Sequence, residues 1–237
     1  MRIINDNKLH NGTNSATNES LNYPATNLDD PFLAKRSQST SSTATVMVIL
    51  TTASTIDAVG YGLTNANSGT IRLYSGAYVL EETIALDLTY DPCLTYMTSA
   101  VSSVTKIEVD LVATGLSVYL GGLSAGEYYE VKYPLSDISR GQQDNSSWIQ
   151  TISGHSLSNY QEPLRSVPLT FHPSTIAESN LLIELYRDIG IGTPFFVDFF
   201  EEYRALLPPL YACFSSPPDD TGIAVNRSIT LNFQECK

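Results

Sequence analysis

Short segments with the periodicity of β-strands follow one another from residue 46 to residue 133, and this succession constrains the fold more than any other feature. The clearest is residues 106–112, where Ile107, Val109 and Leu111 fall on one parity and polar or charged residues on the other. Such alternation is typical of an antiparallel strand with one buried and one solvated face. Short strands at this spacing favour a β-sandwich or a jelly roll.

The same patterning predicts strands in both halves of the chain. They are residues 46–50, 56–63, 70–74, 84–90, 106–112, 116–120, 127–133, 149–152, 167–171, 195–200 and 225–233. Composition agrees with a β-rich fold. The chain contains 27 Ser and 23 Thr, and charged residues make up only 16% of it, below the usual share of about a quarter. Hydroxyl side chains suit strands and turns better than helix interiors. The sequence therefore predicts an all-β fold.

One helix is predicted, over residues 175–189. Thr175 and Glu178 have the spacing of a capping box, and Leu182 opens an apolar series with helical periodicity. Gly190 follows the last apolar position and supplies a stop signal.

The chain divides into three predicted parts. Residues 1–27 contain seven Asn and few large apolar groups, which predicts a polar N-terminal arm. Residues 28–140 carry the strand pattern of a β-sandwich. Residues 141–237 form a smaller β-rich C-terminal module that contains the helix near 175–189.

Charge excludes several classes of partner. The net charge is −12 and the chain has only five Lys, so binding to nucleic acid or to an anionic membrane is not expected. No apolar stretch reaches the roughly 20 residues that a membrane-spanning helix needs. The polar start at residues 1–6 and three widely spaced Cys (93, 213 and 236) lead us to expect synthesis in a cytoplasm, with free or buried thiols.

No constellation of residues predicts catalysis. Residues 154–158 resemble a nucleophile elbow, but Ser158 stands where the second glycine is needed, and His172 follows too closely to complete a triad. The carboxylates of Asp198, Glu201 and Glu202 are candidates for glycoside hydrolysis, although Glu201 and Glu202 are expected at an exposed strand end, as a contact for a basic partner or a solvated edge. We predict that the chain is not an enzyme.

No cofactor is predicted. The three His are scattered without the spacing of a zinc site. A structural calcium ion is the one metal left open, with Asp29-Asp30 or Asp219-Asp220 as oxygen donors. Solvated acidic turns are the alternative interpretation of both pairs.

Two segments carry a resemblance to a known family. Residues 21–28 (LNYPATNL) with residues 44–74 resemble the opening of galactose-binding-like jelly rolls of the discoidin type, including the apolar-Asp-Ala-apolar-Gly strand at residues 56–60. Residues 116–129 are similar to late strands of such domains in tailed-bacteriophage tail proteins, and residues 148–200 resemble C-terminal portions of these proteins. The resemblance implies a galactose-binding-like jelly-roll sandwich.

We therefore expect a structural virion protein of a tailed bacteriophage, located in the tail as a tail-tip, baseplate or fibre-attachment component. It would act by assembly with other tail proteins and with copies of itself, and no catalytic, cofactor-binding or metal residue is assigned. The alternative is a carbohydrate-binding module that recognises a host surface glycan through residues 65–69 or 77–83 with exposed Tyr. The single tryptophan, Trp148, departs from the sugar-binding members, whose opening strand is rich in tryptophan.

Overall fold

Strands dominate the computed structural model of the chain, which describes residues 1–4, 6–30, 35–115, 117–131, 135–138, 141–143, 146–150, 156–159, 163–199, 204–221 and 227–236. The strands are β1 (Arg2–Ile4), β2 (Thr13–Ala16), β3 (Ser37–Gln38), β4 (Thr43–Thr64), β5 (Ser68–Ser75), β6 (Val79–Ala85), β7 (Cys93–Val112), β8 (Tyr119–Gly126), β9 (Tyr128–Glu130), β10 (Leu135–Ile138), β11 (Gly141–Gln143), β12 (Ser147–Gln150), β13 (Ser156–Asn159), β14 (Leu164–Phe171), β15 (Phe195–Asp198), β16 (Leu210–Phe214), β17 (Asp219–Thr221) and β18 (Ser228–Glu235). Within the described ranges there is one α-helix, α1 (Ile176–Ile189), and 3-10 turns lie at Lys8–Asn11, Ala25–Asp29 and Gly76–Tyr78. The predicted all-β fold class with one helix is confirmed.

Internal contacts divide the chain into two compact units, neither of which is one continuous segment. The first unit contains residues 1–132 and 194–211 with residue 237, and the second contains residues 133–193 and 212–236. The N-terminal residues contribute β1 and β2 to the first unit, through pairing with β9 and β4. The division into a polar arm (1–27), a β-sandwich (28–140) and a C-terminal module (141–237) stays a prediction.

The first unit is a sandwich of two antiparallel sheets. The large sheet has the strand order β3-β8-β4-β7-β5-β6, with β2 also paired to β4, and the small sheet joins β9, β1 and β15. Phe196 of β15 lies against β4, where a Cβ added to Gly60 would come 2.5 Å from its ring. The close approach of the sheets therefore depends on the missing side chain at Gly60. This arrangement confirms the predicted jelly-roll sandwich.

The predicted alternation of strand 106–112 is confirmed. Ile107, Val109 and Leu111 are buried in the core of the first unit, together with Val46 and Val48 from the partner strand β4. Both strands extend well beyond the segments predicted for them, because β4 runs without a break from residue 43 to residue 64 and β7 already begins at residue 93.

Two predicted strands are displaced in the structure. The strand predicted at residues 84–90 is wrong beyond Ala85, where β6 ends; Leu86 and Leu88 still pack on the core, but from outside the sheet. The strand predicted at residues 116–120 begins at Tyr119 instead and continues to Gly126. Its bounds follow from its long-range pairing with β4, which local periodicity does not reveal.

The second unit combines an antiparallel sheet with α1. The sheet pairs β10, β14, β18 and β16 in that order, and β12 and β13 form a separate hairpin. The capping box at the start of α1 is confirmed, because the Glu178 N–H donates to the Thr175 hydroxyl and the Glu178 carboxylate accepts from the Thr175 N–H. Gly190, with φ of 79°, ends the helix as predicted.

Candidate functional site

A break in the pairing of β4 with β7 creates the most irregular part of the large sheet. The pairing is regular from Thr43 to Ile49, and then shifts register three times before Ala58. Such bulges leave residues outside the ladder and bend the strands locally. In β7, the exposed residues Thr98 and Ser99 fall in this irregular stretch.

The irregular stretch of β7 forms one wall of an open cleft. Residues 99–103 lie on this side, and Ser75 with Glu81 and Glu82 from the β5–β6 hairpin lie opposite. The cleft has a volume of about 630 Å³, which is within the range of small-molecule sites. Its described lining consists of hydroxyl and carboxylate side chains with Ala100 and Val101, so it offers many hydrogen-bond partners to a polar ligand.

Both carboxylates of the cleft are held from one side. The Glu82 Oε1 atom accepts a hydrogen bond from the Thr98 N–H at 3.0 Å, which ties β6 to the irregular stretch of β7. The Ser75 hydroxyl donates to the Glu81 Oε1 atom. Among the described residues, the second oxygen of each carboxylate has no hydrogen-bond partner. These oxygens can therefore accept hydrogen bonds from a ligand.

Strained backbone conformations concentrate around the cleft. Ala77, Tyr78 and Ser103 have φ of 58°, 60° and 59°, and only two other described non-glycine residues have positive φ. A side chain at such a φ costs of the order of 1–3 kcal/mol, and conformations of this kind cluster at ligand-binding sites. The concentration marks the β5–β6 hairpin and the facing part of β7 as a candidate site.

An exposed aromatic side chain stands at the tip of the same hairpin. Tyr78 is 53% exposed, and the neighbouring Val79 and Leu80 are exposed to a similar extent. The Lys106 ammonium lies 4.7 Å from the centroid of the Tyr78 ring and 3.8 Å from that of Tyr74. This cation–π contact orients the Tyr78 ring while leaving part of it accessible.

A second carboxylate cluster of the first unit is closed to solvent. Asp198, predicted as a candidate catalytic carboxylate, has a side chain that is only 1% exposed. The guanidinium of Arg204 donates to its Oδ2 atom at 2.6 Å, and the Tyr96 hydroxyl donates to the same atom at 2.8 Å. Arg204 also contacts Asp87 at 3.0 Å. The Asp198 carboxylate is therefore buried and bonded within the fold, so its position does not support the candidate role in glycoside hydrolysis.

The electrostatics of this cluster agree with a structural role. Burial raises the pKa of the Tyr96 hydroxyl, and the adjacent Asp198 carboxylate raises it further. Burial by itself would lower the pKa of Arg204, but the hydrogen bond to Asp198 outweighs burial and raises it. Tyr96 is thus neutral and Arg204 is charged at neutral pH.

Several other predicted candidates lie outside the described residues. Glu201 and Glu202 are among them, as are Gly154 and His155 of the elbow-like segment. His172 lies exposed directly after β14.

The acidic pairs proposed for calcium are engaged in other contacts. Asp29 accepts from the Asn14 amide, Asp30 pairs with Lys35 at 2.6 Å, and Asp220 pairs with Arg227. Within the described ranges, no group of three or more His, Cys, Asp or Glu side chains is placed to hold a metal ion.

The two loops predicted for glycan recognition differ in the structure. In residues 65–69, the Asn65 side chain bonds the backbone of Ser117 and Tyr119, and Asn67 accepts from Thr114. These amides hold the connection between β7 and β8, so at least part of their hydrogen-bonding capacity is already used within the fold. The other loop, residues 77–83, carries Tyr78 and both carboxylates of the cleft.

None of the described helices is both long and apolar enough to span a membrane. No protein-family model matches the chain, and no curated protein matches it.

Solved structures of lectin and carbohydrate-binding domains are similar to about half of the chain. The lectin domain of lectinolysin complexed with Lewis B antigen is 14% identical with a TM-score of 0.44, over 51% of this chain and 95% of that one. A Streptococcus pneumoniae fucose binding module is 12% identical with a TM-score of 0.44, over 51% and 94%. The family 32 CBM from C. perfringens NanJ, in complex with galactose, is 13% identical with a TM-score of 0.45, over 54% and 100%. These identities are low and the TM-scores are below 0.5, so the candidate site stands on its own residues.

Proposed function

We propose that the chain is a non-catalytic carbohydrate-binding module that holds a neutral saccharide in the cleft between the β5–β6 hairpin and residues 99–103 of β7. The observation that carries this proposal is the combination of an open polar cleft with the half-exposed Tyr78 on the same hairpin. A saccharide presents many hydroxyl groups and an apolar C–H face. The cleft supplies acceptors for the hydroxyl groups, and the tyrosine ring supplies an apolar surface for the C–H face.

The roles of the side chains follow from their contacts. Glu81 and Glu82 accept hydrogen bonds from sugar hydroxyls. Each uses the carboxylate oxygen that accepts no hydrogen bond from a described residue. A hydrogen bond to a charged acceptor is about twice as strong as a neutral one, so these two bonds dominate the polar recognition. The serines at 99, 102 and 103 add weaker bonds in either direction.

The charge of the cleft selects among saccharides. Its described lining contains two carboxylates and no cationic side chain, and the Lys106 ammonium beside the Tyr78 ring is already paired with Glu108 at 2.9 Å. A sialic acid or a uronic acid would place a further negative charge beside Glu81 and Glu82, which is unfavourable in a partly desolvated cleft. The cleft therefore favours neutral saccharides over acidic ones.

Isothermal titration calorimetry of the full chain with neutral and acidic oligosaccharides tests this proposal. We expect saturable binding of at least one neutral sugar, weaker binding in Glu82→Gln and Tyr78→Ala, and unchanged binding in Tyr23→Ala. Tyr23 is a matched control because it is an exposed tyrosine outside the cleft, stacked on Arg36. Absence of binding across a broad neutral panel, or equal binding by all variants, would overturn the proposal.

The place of the chain in a tailed-virus particle stays a separate proposal. It rests on the resemblance of residues 116–129 and 148–200 to tail proteins, and it is compatible with glycan binding. Mass spectrometry of gradient-purified particles from the source tests it. Recovery at a fixed low copy number supports a virion component, and absence from particles removes that assignment.

A further inference from the structure

Two of the three cysteines come together in the second unit. Cys213 of β16 lies opposite Gln234 of β18 in the antiparallel register. Cys236 follows Gln234 by two residues, and side chains two residues apart share one face of a strand. Cys213 and Cys236 are therefore diagonal neighbours, one on β16 and the other directly after the end of β18.

The two thiols influence each other. They are near enough for each to shift the pKa of the other, and both residues are partly exposed, so a small reagent can reach them. The neighbouring Cys236 thiol lowers the pKa of the Cys213 thiol to about 7. The Cys213 thiol, together with burial, raises the pKa of Cys236. Cys213 is therefore the more readily ionised thiol of the pair.

Cys93 of the first unit provides an internal contrast. It is fully buried in the core, and burial raises the pKa of its thiol to about 11. A buried, protonated thiol is a poor nucleophile and is inaccessible to reagents. Any thiol chemistry of the folded chain is therefore concentrated at Cys213 and Cys236.

We propose that Cys213 and Cys236 form a reversible two-cysteine redox site, which closes to an intramolecular disulfide by exchange with a low-molecular-weight disulfide such as oxidised glutathione. The Cys213 thiolate attacks one sulfur of the reagent, the reagent S–S bond breaks, and one glutathione leaves as a thiolate. Cys236 then loses its proton to solvent and attacks the Cys213 sulfur, which releases the second glutathione. Two protein thiols are oxidised and one reagent disulfide is reduced.

The closed form joins β16 to the end of β18. Residues 215–227 separate these strands in sequence, and the strands are adjacent in the sheet of the second unit, so the disulfide closes a loop and restricts the unfolded chain. The site is independent of the saccharide cleft, which lies in the first unit.

The test equilibrates the folded full chain in glutathione buffers of increasing oxidised fraction, traps free thiols with an alkylating reagent and maps them by mass spectrometry. We expect the oxidised chain to be lighter by two hydrogen atoms and to lose two alkylation sites. A disulfide-linked pair of peptides should contain Cys213 and Cys236, and Cys93 should still be alkylated. Cys213 should alkylate about tenfold faster than Cys236 in the reduced chain.

Two variants keep the proposal falsifiable. Cys236→Ser should stop at a persistent glutathione adduct on Cys213, and Cys213→Ser should abolish oxidation under the same buffers. A wild-type chain that also stops at the adduct, or in which both thiols stay free in fully oxidised glutathione, would overturn the proposal.

Discussion

The first unit contains two groups of carboxylates that differ in burial. Asp198 is enclosed: its side chain is only 1% exposed, Arg204 and Tyr96 donate to its Oδ2 atom, and its Oδ1 atom is buried without a hydrogen-bond partner among the described residues. Glu81 and Glu82 line an open cleft, and each has an oxygen that accepts no hydrogen bond from a described residue. A ligand cannot reach an unpartnered oxygen that is buried, whereas it can reach one that lines an open cleft.

The first experiment removes the charged partner of the buried carboxylate. Arg204→Met leaves the Asp198 carboxylate buried without its guanidinium, and we expect the free energy of unfolding to fall by about 3–5 kcal/mol. Urea unfolding followed by circular dichroism measures the change. Lys35→Met is the control, because the Lys35–Asp30 ion pair lies at the surface. Its removal should lower the free energy of unfolding by about 1 kcal/mol or less. Equal losses in both variants would contradict a special role for the buried pair.

The second experiment neutralises one carboxylate of the cleft. Glu82→Gln should weaken binding of a neutral saccharide by about 1.5–3 kcal/mol, or roughly 10–100-fold, because a charged acceptor is lost. Unfolding free energy should change by less than about 0.5 kcal/mol. Calorimetric titration and urea unfolding give the two values, with the exposed Glu127→Gln outside the cleft as control. A large loss of stability would show that Glu82 serves the fold instead.

The third experiment compares two glycines of these regions. Gly60→Ala forces a Cβ against the Phe196 ring and should lower the free energy of unfolding by about 1–3 kcal/mol. Gly76 in the hairpin beside the cleft has nothing within 4 Å of an added Cβ. Gly76→Ala should therefore leave stability unchanged or raise it by less than about 1 kcal/mol. Thermal unfolding distinguishes the two, and a reversed order would contradict the described packing of the sheets.

The smallest expected effect is a dependence on pH. Burial raises the pKa of Asp87, but hydrogen bonds from Thr89 and the charge of Arg204 outweigh burial and lower it below its usual value of 3.8. Because the folded state binds this proton less tightly, Asp87 stabilises the fold above pH 3.8 and loses that contribution as the pH falls through its lower folded pKa. Urea unfolding at a series of acidic pH values should show a shallower loss in Arg204→Met than in the wild type. Parallel curves would contradict the coupling.

Local signals were sufficient for some elements of the fold. The helix was predicted correctly because its capping box, apolar spacing and terminal glycine all lie within sixteen residues of one another. The alternation at residues 106–112 was equally local, since one face of that strand is buried along its whole length.

Elements fixed by long-range pairing could not be predicted in this way. Residues 99–103 carry hydroxyl groups on both parities, so neither their strand nor its irregular register has a periodic signature. The hairpin side of the cleft is predicted by the sequence, because an exposed tyrosine in the loop of residues 77–83 is a local signal. The facing half depends on which strand lies beside β5, and that is a property of the folded sheet.

The return of residues 194–211 to the first unit sets an order of events during synthesis. Every strand of the large sheet lies within residues 1–132, yet β15 and Arg204 leave the ribosome only after residues 133–193 have been made. Until then the surface around Gly60 lacks Phe196, and Asp87 lacks Arg204. The sandwich of the nascent chain is therefore incomplete while the intervening segment is translated. It can be completed only after residues 194–211 have been synthesised.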